Sequence, residues 1–364
     1  MLDARGQAPS LKVCLTGGGT AGHVTPHFAL LPGMRARAWE VFYIGSRGLE
    51  QPLVEAQGIA FHAVATGKLR RYLSVKNLFD LFKVGCGCLQ ALFILARERP
   101  DVVFSKGGFV AVPVAWAAWV LRIPVISHES DVTPGLATRL IAKVARQILY
   151  TFPDTKAHLG GVSAAHVGTP IRMELFQGSR QAGLELCGFD AGESLPTYLV
   201  MGGSQGAQRV NEALREILPE LLTRARVIHL TGAGKSLDFR HPRYKSFEFV
   251  QGELKDLFAA ADLVVSRAGA NSIFEFLALK KPMLLVPLEL GSRGDQVINA
   301  EAFRKNGWAT VLRDKELTPE TFMAALAQLE AGAPAMRAKQ AAFTGTDAAG
   351  RILAAIAAAA QPRG

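Results

Sequence analysis

The chain has 364 residues, of which 49% are hydrophobic, 20% charged and 8% aromatic. That length predicts two domains, each able to bury its own core, and the slightly positive mean hydropathy excludes a disordered or fibrous chain. Lys and Arg outnumber Asp and Glu by 41 to 31, a net charge of +10, which points to an anionic partner.

Short β-rich runs alternate with longer helix-compatible stretches along the whole chain. In the first half the predicted strands are Leu11–Thr16, Val41–Gly45, Val102–Ser105, Pro124–Ser127, Gln147–Tyr150 and Ala165–Gly168. In the second they are Thr197–Met201, Arg226–Leu230, Phe247–Val250, Asp262–Ser266, Met283–Val286 and Ala309–Leu312. Most are near-continuously apolar, as expected of parallel strands covered on both faces. Two alternating sets predict two doubly wound α/β domains, each a Rossmann-like parallel sheet. The junction is expected near Gly168-Thr169-Pro170, which gives domains 1–169 and 170–344. The Ala-rich tail, within 345–364, reads as a terminal helix; packing on either domain is open, a return to the N-terminal one being the first option.

The longest uncharged apolar stretch, Gly107 to Leu121, has 15 residues and contains Pro113, too short and interrupted for a membrane span. The polar start, Met1 to Ser10, has no apolar secretory segment. The expectation is a soluble or peripheral protein of the cytoplasm. Cys14, Cys86, Cys88 and Cys187 show no zinc spacing and read as reduced structural thiols. The charge is lopsided. Residues 1–170 hold 18 Lys/Arg against 10 Asp/Glu, whereas 171–364 hold 23 against 21.

Gly18-Gly19-Thr20-Ala21-Gly22 follows the first strand of one half, and Gly202-Gly203-Ser204-Gln205-Gly206 follows the first strand of the other, 184 positions later. A Gly-rich turn entering a helix lets backbone N–H groups approach an anion, so a matched pair predicts diphosphate binding. The alternative is two tight turns that need glycine and nothing more. Gly17, Gly19 and Gly22 also fit G-x-G-x-x-G, which raises an NADP-dependent oxidoreductase as the second reading. Gly45-Ser46-Arg47 stands where a ribose-binding acid is expected, and Arg47 suits a 2′-phosphate. A nucleic-acid-binding reading uses the charge but lacks interleaved base-stacking aromatics.

His23, directly after the first loop, is placed to take a proton from a substrate hydroxyl, or else to cap a helix or bond a carbonyl. His128-Glu129-Ser130-Asp131 offers an imidazole and two carboxylates at a strand end, with helix capping by Ser130 or Asp131 as the alternative. Later, Ser266-Arg267-Ala268-Gly269-Ala270-Asn271-Ser272 precedes a helix whose first turn is expected to carry Glu275, suited to two ribose hydroxyls or to the helix dipole. Asp295 and Gln296 follow a further strand and suit sugar hydroxyls. No D-x-D pair or P-loop is present. A leaving diphosphate therefore falls to backbone amides and Arg172, without an obligatory metal.

Five motifs in register resemble the MurG family of peptidoglycan glycosyltransferases, glycosyltransferase family 28. They are Gly17 to His23, Lys106-Gly107-Gly108-Phe109-Val110, His128 to Asp131, Gly202 to Gly206, and Gly294-Asp295-Gln296-Val297-Ile298-Asn299-Ala300. The resemblance spans roughly Lys12 to Ala355. It implies a GT-B fold, two Rossmann-like domains across a cleft. The implied reaction is inverting transfer of GlcNAc from UDP-GlcNAc to the 4-hydroxyl of MurNAc in lipid I, giving lipid II and UDP.

Residue by residue, the resemblance implies that Arg172, Ser204 and Gln205 hold the diphosphate, that main-chain groups near Val250 read the uracil, and that Glu275 takes the ribose. Ala270, Asn271 and Ser272 would line the diphosphate and sugar, with Asp295 and Gln296 on GlcNAc. Gly19, Thr20 and Ala21 approach the sugar from the acceptor side. His23 is the candidate general base and Glu129 the second candidate. Two departures stand out: Asp131 and Asp295 occupy positions where many members carry asparagine and glutamine. Asp131 is accordingly assigned to the acceptor side.

No cofactor is required on this reading, with a divalent cation at most stimulatory. The expected partners are UDP-GlcNAc, lipid I, an anionic membrane surface and other cell-wall synthesis proteins, with no nucleic acid. The place is the cytoplasmic face of a bacterial membrane, and the process one that serves cell shape and division. The basic residues Lys68, Arg70, Arg71, Lys76 and Lys83 flank an apolar stretch. In it Val75, Leu78, Phe79, Phe82 and Cys86 are expected in the core, while Leu81, Val84 and Cys88 face lipid.

Overall fold

The structure, a computed structural model, describes residues 10–67, 75–203, 206–250, 252–289 and 294–361, with the side chains of 75–82 and 346 outside that description. It divides into two units, 1–171 with 345–364, and 172–344.

The first unit runs β1 (Lys12–Thr16), α1 (Thr25–Phe28), α2 (Leu31–Ala36), β2 (Glu40–Gly45), α3 (Glu50–Glu55), β3 (Ala60–Ala63), α4 (Val75–Glu98), β4 (Val102–Ser105), α5 (Ala111–Val120), β5 (Val125–Glu129), α6 (Leu136–Ile141), β6 (Gln147–Tyr150) and β7 (Ala164–His166). The second runs α7 (Arg180–Cys187), β8 (Thr197–Met201), α8 (Gln208–Leu221), β9 (Arg226–Leu230), β10 (Tyr244–Phe247), α9 (Leu254–Ala260), β11 (Leu263–Ser266), α10 (Ala270–Ala278), β12 (Met283–Leu285), α11 (Asp295–Lys305), β13 (Thr310–Val311) and α12 (Pro319–Ala341). The last helix, α13 (Ala348–Ala360), belongs to the first unit.

Both sheets are parallel, in the orders β3-β2-β1-β4-β5-β6-β7 and β10-β9-β8-β11-β12-β13. These are the doubly wound sheets that the alternating pattern predicts. Central strands are apolar because both faces are covered: Val13, Cys14 and Leu15 of β1 are fully buried, as are Val102, Val103 and Phe104 of β4. The two mismatches are edge strands. The short strand β3 has no continuous apolar run and is missing from the expected set. The other edge strand, β10, begins three residues earlier than expected, its Tyr244 aligned with Val227 of β9.

Helices cover the sheets through apolar stripes. In α8, Val210, Ala213, Leu214, Ile217, Leu218 and Leu221 are buried at helical spacing. In α13, Ile352, Leu353, Ile356 and Ala359 join the core of β1, β2 and β4, and the Arg146 guanidinium donates to the carbonyl of Ala359 at 2.8 Å. The tail thus completes the first unit's core.

Three histidines, His27, His128 and His229, are buried. For His229 the tautomer follows from its partners. The Asn211 amide nitrogen donates to the carbonyl of Thr231, so its Oδ1 faces His229 and accepts from Nε2 at 3.0 Å. Nδ1 then accepts from the Tyr244 hydroxyl at 2.9 Å. Desolvation lowers this ring from its ordinary 6.5 to about 4. Between those values the unfolded chain binds a proton that the folded one refuses, so stability falls as pH falls. Urea unfolding at pH 7 and pH 5 should show a loss of about 2 kcal/mol from this residue alone. His229→Gln should flatten the slope by that amount; an unchanged slope would refute the neutral buried ring.

Candidate active site

In the first unit the direction of winding reverses between β1 and β4, and a crevice forms beyond the carboxyl ends of strands at such a point. The turn leaving β1 is Gly17 to Gly22, and the turn leaving β4 is Lys106 to Gly108. Gly19, Gly107 and Gly108 have φ of +88°, +77° and +80°, the left-handed region that favours glycine. A Cβ on Gly108 would lie 2.2 Å from the carbonyl oxygen of Gly18. The two turns touch through backbone, and no side chain fits between them.

His23 ends a short 3₁₀ turn, Ala21–His23. Its Nδ1 lies 2.9 Å from the carbonyl oxygen of Lys106. A carbonyl only accepts, so Nδ1 carries the proton of the neutral ring and the lone pair resides on Nε2. The sequence-level alternatives of proton acceptor and carbonyl-bonded ring are therefore compatible, one nitrogen serving each. Gly19 and Ala21 are half-buried and Thr20 is exposed on the same loop.

Of the loop amides expected to approach a diphosphate, one is already taken. The Gly19 N–H donates to the carboxylate of Glu50 at 2.5 Å. That amide is already engaged with an anion of the chain itself, which also counts against a dinucleotide in the G-x-G-x-x-G reading.

Beneath the turns lies a buried polar layer. The Lys106 ammonium is 2.6 Å from His128 Nδ1 and 2.8 Å from Ser130 Oγ. His128 Nε2 donates to the carbonyl of Gly168 at 2.8 Å, which leaves Nδ1 as the acceptor for Lys106. Desolvation lowers Lys106 to about 7 against the pull of Glu129 and Asp131, and lowers His128 well below its usual range. Glu129 accepts from the backbone N–H groups of Asp131 (3.0 Å) and Gly135 (3.1 Å) and from the Thr138 hydroxyl (2.5 Å). Its geometry is that of a turn organiser rather than of the second base candidate. Asp131 is half-buried, its carbonyl accepting from Thr155.

In the second unit the reversal falls between β8 and β11. Gly202, Gly203 and Gly206 leave β8 just before the 14-residue α8, while Ser204 and Gln205 lie outside the described residues. A Cβ on Gly206 would lie 2.2 Å from the Thr231 carbonyl oxygen. The turn after β11 opens α10, with Ala270 buried and Asn271 and Ser272 half-buried.

Glu275 sits in the second turn of α10, not the first, so the helix-dipole reading loses its basis. Its carboxylate takes two bonds from Arg172, Nε to Oε1 at 2.8 Å and the terminal nitrogen to Oε2 at 3.0 Å. The two residues expected on different parts of one ligand are thus bonded to each other. Asp295 opens α11 behind Gly294, whose φ is +79°, and Gln296 Oε1 accepts from the backbone N–H of Leu288 at 3.0 Å. Val250 is half-buried after β10. The motif-based reading passed over Glu50, the Lys106 side chain and the Arg267–Asp314 ion pair at 2.5 Å. Lys106 and Arg267 stood in quoted motifs without a role for their side chains, whereas Glu50, an acid five residues past the end of β2, and Asp314 stood in none.

Residues 13–150 match the model of the glycosyltransferase family 28 N-terminal domain, and residues 197–352 match that of the family 28 C-terminal domain. The chain belongs to glycosyltransferase family 28. Similar family 28 relatives are each named UDP-N-acetylglucosamine–N-acetylmuramyl-(pentapeptide) pyrophosphoryl-undecaprenol N-acetylglucosamine transferase. The Lachnospira eligens protein is 50% identical over 88% of this chain and 91% of its own. The Lachnoclostridium phytofermentans protein is 51% identical over 86% and 89%, and the Oceanobacillus iheyensis protein 48% over 90% and 92%. Among solved structures, Acinetobacter baumannii MurG superposes with a TM-score of 0.73 at 23% identity, covering 96% of this chain and 99% of that one. The kitacinnamycin glycosyltransferase also gives 0.73, at 17% identity, covering 96% and 100%. These likenesses carry the fold, that of the two-Rossmann-domain GT-B glycosyltransferases.

The Arg172 guanidinium holds the Glu275 carboxylate in the second turn of α10. Arg172→Ala should strand that carboxylate and cost about 1–3 kcal/mol in urea unfolding, whereas Arg172→Met with Glu275→Leu should recover most of the loss. Additive single and double variants would show that the pair contributes no coupling.

Proposed function

We propose that the chain transfers GlcNAc from UDP-GlcNAc to lipid I, forming lipid II and UDP. The observation that carries this reading is identity of about one half, over nearly nine-tenths of the chain, to relatives that bear the transferase's name. Nothing supports the NADP oxidoreductase alternative.

The transfer inverts the anomeric centre. The 4-hydroxyl of MurNAc attacks the anomeric carbon, the bond to the diphosphate oxygen breaks, and the hydroxyl proton passes to His23 Nε2. The Nδ1–H bond to the Lys106 carbonyl supports this role, because it orients the ring and stabilises the imidazolium as it forms. Gly19, Thr20 and Ala21 are assigned to the sugar and Asp131 to the acceptor.

The departing UDP leaves with its charge near the start of α8, a favourable end of the helix dipole for an anion. Ser204, Gln205, Ala270, Asn271 and Ser272 are assigned to the diphosphate and sugar, Val250 to the uracil, and Asp295 and Gln296 to GlcNAc. Arg172 holds the Glu275 carboxylate in place. Its lone pairs beyond the two Arg172 bonds take the ribose hydroxyls, and Arg172 flanks the diphosphate. No metal is required on this reading, and a divalent cation is at most stimulatory.

Labelled GlcNAc transfer to a lipid I analogue should proceed equally with and without EDTA; loss with EDTA alone would mean that a cation takes part. His23→Ala should lower turnover at least about 100-fold with UDP-GlcNAc affinity unchanged. Glu275→Ala should weaken UDP-GlcNAc binding by about tenfold or more, and unchanged affinity would remove the ribose assignment.

The acceptor's lipid tail calls for a membrane surface, and the enzyme is assigned to the cytoplasmic face of a bacterial membrane, alongside other cell-wall synthesis proteins and in the service of cell shape and division. Among the described residues no helix is long and apolar enough to cross a membrane. Support for surface docking comes from α4 and α5, which pack together. Leu89 and Phe93 of α4 and Trp119 and Val120 of α5 are more than half exposed, with Trp116 beside Trp119 at 5.9 Å between ring centroids. Lys83, Arg97 and Arg122 are exposed on or next to the same helices and suit anionic headgroups.

This patch differs from the expected one. Val84 and Cys88 are half-buried, Cys86 is half-buried rather than core, and Leu81 with the remaining expected core positions, Lys68, Arg70, Arg71 and Lys76, lies outside the described side chains. Trp119→Ser with Phe93→Ser should reduce sedimentation with phosphatidylglycerol vesicles by about tenfold while leaving transfer to a soluble acceptor intact. Undiminished sedimentation would move the docking surface elsewhere.

A further inference from the structure

Glu50, the first residue of α3, is 2% exposed, and among the described residues no cation forms an ion pair with it. A carboxylate removed from water without a cation is costly unless hydrogen-bond donors replace the lost solvent. Two donors do so here: the backbone N–H of Gly19 on Oε1 at 2.5 Å, and the Ser46 hydroxyl on Oε2 at 3.0 Å.

The surroundings are shaped to this carboxylate. A Cβ on Gly18 would lie 2.1 Å from Glu50 Oε1, and a Cβ on Gly19 would lie 2.4 Å from the Phe109 ring. The Tyr43 hydroxyl donates to the carbonyl of Gly17 at 3.0 Å. The loop is therefore clamped at Gly17 by Tyr43, at Gly19 by Glu50 and at His23 by the Lys106 carbonyl. Of these clamps, Glu50 alone brings a formal charge to a backbone amide, in the kind of turn that elsewhere receives a phosphate.

We propose that Glu50 is a positioning residue for the transfer, its carboxylate taking the anion's place in the first glycine loop and fixing the loop shape that aims His23 at the acceptor hydroxyl. The assignment rests on the reading of His23 as the base. One consequence is that a substrate phosphate is repelled from the Gly19 amide, so the loop serves uncharged hydroxyls.

Two variants of the full-length enzyme separate reach from charge. Glu50→Gln keeps an oxygen within reach of the Gly19 N–H and removes the charge; Glu50→Asp keeps the charge and withdraws it by one methylene. Glu50→Gln should retain at least about a third of wild-type kcat, while Glu50→Asp should lose about tenfold or more, with KM for UDP-GlcNAc within about twofold in both. Wild-type kcat in Glu50→Asp, equal losses in both variants, or a loss confined to KM for UDP-GlcNAc would overturn the assignment. His23→Ala measured alongside separates the two readings. Lost turnover there with full turnover in Glu50→Asp removes Glu50 alone, whereas full turnover in His23→Ala removes the base on which it depends.

Discussion

The contact between the turns after β1 and β4 is the constraint on which the candidate site of the first unit depends. Parallel strands on either side of a winding reversal send their following chains to opposite faces of the sheet, which opens a crevice beyond the strand ends, and the turns leaving β1 and β4 border it. Their backbones meet at a distance that admits no Cβ between Gly18 and Gly108. Because the His23 ring belongs to one turn and the Lys106 carbonyl to the other, the bond that fixes the ring's tautomer exists only while the turns touch.

That contact would be soft if it rested on an apolar floor alone, since glycine turns carry few side chains to pack. A layer of buried polar groups stiffens it. Lys106 bonds both His128 and Ser130 below the β4 and β5 turns, Glu129 gathers three donors of the 131–138 segment, and Glu50 closes on Gly19 from the β2 side. Each of these groups is expensive to bury alone and is tolerated because its donors or acceptors are matched. The second unit follows the same principle with ion pairs. Arg172 grips Glu275, and Arg267 bridges Asp314 and the carbonyl of Val286. In both units apolar strands provide the platform, and satisfied charges at the strand ends set the loops that follow them.

Much of this was legible from residue order. Continuous apolar runs located eleven of the thirteen strands among the described residues to within a residue or two, because central parallel strands such as β1, β4 and β8 are covered on both faces and leave little polar interruption. The two that were missed or shifted, β3 and β10, lie at sheet edges where one side meets solvent and the apolar signal fades. The glycine turns and the position of His23 were equally visible, since left-handed backbone and close approach demand glycine at fixed places after a strand.

Only the tertiary structure decided which polar atoms pair. Glu50 reaches Gly19 across 31 residues, Arg172 reaches Glu275 across 103, and α13 joins a sheet whose first strand lies more than 300 residues away. Hydrogen bonds and ion pairs are short-ranged and directional, so their partners are set by where the folded backbone brings them rather than by local pattern. The chain's own order therefore determined the two sheets, their glycine turns and the candidate base. Packing in three dimensions determined that the first turn already holds a carboxylate, that Glu129 braces a loop, and that the two residues expected to share a nucleotide are bonded to each other.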